Sequence, residues 1–81
     1  PVHVLVIPKK HITSLATVVA EDTAVLGKML AKANEIATAQ GSPDGFRVII
    51  NTGRIGNQEV PHLHLHIVGG PEPVGPMLKR I

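Results

Sequence analysis

The chain has 81 residues, room for one domain, and a domain this small buries only about 60 to 65% of the surface its unfolded chain would expose. Its 43% hydrophobic and 17% charged residues suit a folded globular chain, yet one Phe and no Trp or Tyr leave the core to Val, Ile, Leu, Met and Ala. Zero cysteines exclude disulfides and thiolate metal sites. The net charge of +2 comes from scattered basic residues, with no stripe and no stacking aromatics for a nucleic-acid groove. No apolar run approaches the roughly 20 residues of a membrane span, and no lipidation signal ends the chain. Such a domain needs a second chain or more of its own. The first residue is Pro1 and a strand is already under way at Val2, so the sequence reads as a cytosolic fragment of a longer domain.

In chain order, Val2 to Ile7 is rich in β-branched residues and stops at Pro8, which predicts a strand. Pro8 to Val19 is a connection without a clear period. From Ala20 the apolar residues Leu26, Met29, Leu30, Ala33, Ile36 and Ala37 recur three and four apart, which predicts a helix with those residues on its buried face. Glu21 and Asp22 would complement its positive end and Gly41 would stop it. Ser42-Pro43-Asp44-Gly45 is a turn, and Phe46 to Asn51 a second strand. A glycine-bearing loop from Thr52 to Pro61 leads into a third strand, His62 to Val68, which Gly69-Gly70 ends. An irregular arm reaches Pro76. The order strand, helix, strand, strand over 1–81 predicts one α+β domain, an antiparallel sheet with a packed helix.

Chemistry concentrates in the last strand. Side chains alternate across a strand, so His62, His64 and His66 share one face while Leu63, Leu65 and Ile67 take the core face. Exposed strand faces ordinarily carry Thr, Lys or Glu, so three imidazoles at period two point to a site. His3, by contrast, reads as an ordinary surface histidine without a partner. A zinc site is one candidate, but the first and third histidines lie about 13 Å apart on a straight strand, and convergence on one ion would need a bend or ligands such as His11 or Glu59. Acid-base and nucleophilic use fits better: one ring attacks an electrophile while neighbours about 6 to 7 Å away reach the oxygens around it, and phosphorus presents such oxygens. Gly53, Gly56 and Asn57 allow a turn that aims amide N-H groups at an anion, and Asn51 beside it is a polar donor.

The pattern His62-Leu63-His64-Leu65-His66-Ile67-Val68 resembles the signature of the histidine triad family of nucleotide hydrolases and transferases. Val6-Ile7-Pro8-Lys9-Lys10-His11-Ile12, Arg47 to Asn51, Gly56-Asn57-Gln58-Glu59-Val60-Pro61 and Gly69-Gly70 are also similar to that family. The double glycine and the Gly75-Pro76-Met77-Leu78 tail look most like its bacterial purine nucleoside phosphoramidases. The resemblance implies a nucleotidyl-histidine mechanism on nucleoside 5′-phosphoramidates, with His64 as nucleophile and His62 and His66 supporting it at the phosphate. His11 would stand on the phosphate or leaving-group side, Asn51 at ribose and phosphate, and Gln58 with the Glu59-Val60 backbone in the phosphate loop. It implies a homodimer, a purine nucleotide substrate and no metal or cofactor. Animal relatives carry a serine where this chain has Glu59, and Asn57 stands where glycine is frequent. Family members begin with a helix and a strand hairpin that build the base pocket, so the chain is expected to be the family fold without them. A diadenosine-polyphosphate hydrolase of the same superfamily and a non-catalytic nucleotide-binding regulator are the alternatives.

Overall fold

The computed structural model describes residues 1–76; Met77 and Leu78 of the tail motif lie outside the described residues. Strands β1 (Val2–Val6), β2 (Arg47–Ile49) and β3 (Leu65–Gly69) form one antiparallel sheet in the order β1-β3-β2, and helix α1 spans Thr23–Ala39. This is the α+β architecture that the element order predicts. β3 is central and the most deeply buried strand: Leu65 and Ile67 are almost wholly buried, whereas β1 alternates only between half-buried and exposed and every residue of β2 is half-buried. The chain's last strand therefore slots between its first and second.

Helix α1 covers the sheet face that carries Leu65 and Ile67. Met29, Ala33 and Ala37, four residues apart, are its buried stripe, and with Ile12, Leu63, Leu65 and Ile67 they make up the core. Leu26 and Ile36 pack at its margin, but Leu30 is 53% exposed, so it does not share the buried face as its spacing suggested. One step of 100° from Met29 carries it past the edge of the stripe. No aromatic is in the core; Phe46 packs against its rim. Small alanines let the helix approach the sheet, and each buried leucine or isoleucine contributes about 1.5 to 3 kcal/mol.

All three strands are shorter than their patterns suggested, β2 keeping only Arg47–Ile49, and for β1 and β3 the reason is proline. β1 ends at Val6, opposite Leu65, and Pro8 and Pro61 flank the place where the ladder would continue. Proline has no N-H to donate. His62 and His64 thus precede β3 instead of belonging to it; Leu63 N-H donates to the Ile12 carbonyl at 2.6 Å and His62 N-H to that of Val60 at 2.8 Å. The inside-outside alternation nevertheless continues back to Leu63, 2% exposed.

The connection between β1 and α1 is built from two 3-10 turns, Leu15–Thr17 and Ala20–Asp22. Ser14 caps the first by accepting from Ala16 N-H at 3.0 Å. Glu21 and Asp22 lie in the second of these turns and not, as expected, in the first turn of α1, which starts at Thr23; the buried Asp22 carboxylate accepts from Val19 N-H at 3.0 Å and from Lys10 Nζ at 2.6 Å. The Lys10 hydrogen bond, then that of Val19, holds the Asp22 carboxyl below the usual aspartate range, and the same contact raises Lys10. Gly41, at φ +101°, ends the helix as predicted.

Candidate active site

The sheet face opposite α1 carries the histidines, and the structure links all five. His66 sits in β3 between Leu5 of β1 and Ile49 of β2, so its backbone is held on both sides. Its Nδ1 lies 2.8 Å from Nε2 of His3, with ring centres 5.0 Å apart. His3 is therefore not the unpartnered surface residue that its sequence neighbours suggested; its partner lies 63 positions away. One ring of the pair must donate and the other accept, so both cannot be fully protonated and keep the bond. Burial first, then the charges of His64 and His3, push the His66 pKa below its ordinary value.

His64 has a different anchor. Its Nδ1 is 2.8 Å from the backbone carbonyl of His62. A carbonyl oxygen only accepts, so Nδ1 carries the proton and the neutral ring keeps its lone pair on Nε2. The irregular backbone before β3 makes this possible, since a regular ladder would direct the His62 carbonyl at a neighbouring strand. The His64 ring stands edge-on to His66, with centres 5.0 Å apart. His62 turns its own Nε2 to the Pro8 carbonyl at 3.3 Å, and its ring meets that of His11 edge-on at 4.9 Å. The row thus runs His11, His62, His64, His66, His3.

The loop after β2 faces this row. Gln58 braces it: its side-chain carbonyl accepts from Gly53 N-H at 2.9 Å, and its amide nitrogen donates to the carbonyls of Thr13 (2.8 Å) and Val60 (2.9 Å). A Cβ on Gly56 would strike the backbone of Thr52, so only glycine fits there, and Asn57 takes a left-handed φ of 59°. Between loop and sheet lies a cleft of about 320 Å3. Of the residues singled out from sequence, Asn51, Asn57, Gln58, Glu59, Val60, His64 and His66 line it, joined by Leu5. His62 and His11 stand beside the cleft without lining it, reaching His64 through the His62 carbonyl. A second cleft, of about 340 Å3 between the β2 start and the 71–74 arm, holds no histidine.

Two roles escaped sequence reading. His3 is placed by β1-β3 pairing, which no local signal specifies; the only hint was that His3 and Leu5 fall on the outward face of β1. Gln58 braces the loop across 45 residues, to Thr13, a contact invisible in the local sequence. Among the described residues no three His, Asp or Glu side chains gather where they could hold a metal ion.

A hydrophobic sheet face over one helix, a row of imidazoles on the other face and a braced glycine loop define a class. Residues 1–72 match the HIT domain family, and the chain belongs to it. It is 55% identical over 71 residues to Protein HitA of Neisseria gonorrhoeae, aligning 88% of this chain with 66% of that one. It is 47% identical over 79 residues to the purine nucleoside phosphoramidase of Escherichia coli K12, 96% of this chain and 66% of that protein. Among solved structures, a HIT family hydrolase from Legionella pneumophila superposes with a TM-score of 0.85 at 40% identity, covering 94% of this chain and 69% of that one. A histidine triad protein from Clostridium difficile gives 0.82 at 39% identity, covering 93% and 66%. The chain thus spans slightly under two thirds of the length of these curated relatives.

Proposed function

We propose that this chain carries the reacting part of a purine nucleoside phosphoramidase, a nucleotide hydrolase that cleaves nucleoside 5′-phosphoramidates at the α-phosphorus through a nucleotidyl-histidine intermediate. The observation that carries the reading is the fixed tautomer of His64, whose Nδ1-H is held by the His62 carbonyl so that a lone pair remains on Nε2 at the cleft. Kinship with the E. coli phosphoramidase supports the substrate class.

In this scheme Nε2 of His64 attacks phosphorus and the P-N bond to the leaving amine breaks, the amine departing with the electron pair and gaining a proton. Water then attacks phosphorus, the bond to Nε2 breaks, and the nucleoside monophosphate leaves. His66 flanks His64 and steadies the phosphate oxygens, while His62 orients the His64 ring through its backbone carbonyl and His11, packed edge-on against His62, stands on the leaving-group side. Asn51 faces ribose and phosphate, and the Glu59-Val60 backbone offers amides from the braced loop. Every step uses the chain's own imidazoles, and no cofactor is invoked. We further propose that the protein works in the cytosol as a homodimer, a reading that rests on its membership of the HIT family.

The test is AMP release from adenosine 5′-phosphoramidate in the presence of a chelator. His64→Ala should lower kcat by about a thousandfold or more, and a quenched reaction should show a nucleotidyl adduct on His64 by mass spectrometry. Sustained turnover in His64→Ala with no adduct on the parent protein rules the mechanism out.

A further inference from the structure

The charges around the cleft are one-sided. No lysine or arginine lines it, and its one carboxylate belongs to Glu59. Sites built for polyphosphates ordinarily present permanent cations to them. Glu59 is exposed, and among the described residues the ion pairs are those of Lys10 and Lys32, so its charge is not neutralised within the fold. Its position is not arbitrary either, because the neighbouring Gln58 ties the loop to Gly53, Thr13 and Val60.

We propose that the Glu59 side chain selects the leaving group by charge: the cleft favours phosphoramidates whose departing amine bears a second, positively charged amine, and disfavours leaving groups that bear a negative charge. The inference rests on the phosphoramidase reading above and deepens it. The α-phosphate is common to all such substrates, so its repulsion by Glu59 cancels in any comparison between them. The remote charge of the leaving group does not cancel. The depressed basicity of His66 leaves that ring uncharged near neutral pH, so it does not offset the carboxylate. For charges about 6 to 7 Å apart, effective dielectric constants between that of water and that near a protein surface give an expected discrimination per unit charge of about 3- to 70-fold. It should shrink in concentrated salt, where the screening length falls to about 3 Å.

The experiment uses three adenosine 5′-phosphoramidates matched in chain length, formed from 1,4-diaminobutane, butylamine and 4-aminobutanoate, so that the far end is positive, neutral or negative. The readout is the ratio of kcat/KM values within one protein, which divides out general damage to folding or chemistry. The parent protein should rank positive above neutral above negative. Glu59→Gln should bring the ratios towards one, Glu59→Lys should invert them, and 1 M salt should compress those of the parent protein. Ratios unchanged by Glu59→Gln, or no ranking in the parent protein, overturn the proposal while leaving the phosphoramidase reading intact. If none of the three amidates yields His64-dependent AMP, the underlying reading fails, and the charge selection with it.

Discussion

Five identical imidazoles occupy five different situations in this chain, and a few tenths of a nanometre decide which ring does what. His64 has its Nδ1 proton pinned by a carbonyl two residues back, while His66 shares a hydrogen bond with another ring and sits among burial and two neighbouring imidazoles. The sign of the resulting pH dependence follows directly. A base whose folded pKa lies below its unfolded value binds more protons when unfolded, so acid favours unfolding. The effect of His66 on stability is absent above an unfolded pKa near 6.5, and grows as pH falls from there to the folded value. In an NMR titration the His66 ring should titrate below 6.5, and His3→Gln should move it upwards by removing one of the neighbouring charges. A His66 midpoint at or above 6.5 in the parent protein would contradict this account.

At the scale of elements, the placement of β3 depends on contacts at its two ends. At its start, prolines interrupt the ladder and release the His62 carbonyl for His64. At its end, Gly69 packs against Ser42, whose buried hydroxyl donates to the Gly45 carbonyl at 2.6 Å and accepts from Gly70 N-H at 3.0 Å. A Cβ on Gly69 would fall on the Ser42 side chain, so this glycine is needed for close approach and not merely as a strand stop. Gly69→Ala should destabilise the fold by about 1 to 3 kcal/mol, read as a lower denaturation midpoint. Adding Ser42→Gly should recover part of the loss if the clash is the cause; an unchanged midpoint for Gly69→Ala alone would show that the turn simply yields. The strand itself was legible because Leu63, Leu65 and Ile67 alternate with the histidines. Its true start was not, since that depends on where β1 stops.

For the whole molecule, the notable feature is how little covers the sheet. β3 has neighbours on both sides, whereas β1 and β2 each pair on one side only among the described residues, and Leu5 and Ile7 are 50% and 53% exposed. Open strand edges and uncovered aliphatic side chains favour covering by further structure, whether the helix and strand hairpin expected of the family or a second chain. If the protein is the proposed homodimer, sedimentation should give twice the single-chain mass; a monomer at concentrations suited to NMR would refute it.

By itself the amino-acid sequence determined the elements, their order, the aliphatic composition of the core, and a triad that shares one face. Those properties depend on periodicity, on proline and glycine, and on residue type, all of which are local. Only the tertiary structure decided that His3 reaches His66, that Gln58 braces the loop after β2 to Thr13, that Leu30 lies off the buried stripe, and that His62 and His11 flank the cleft instead of lining it. Each of those outcomes follows from strand register or from a packing angle between elements far apart in the chain, and neither is encoded in any short stretch of it.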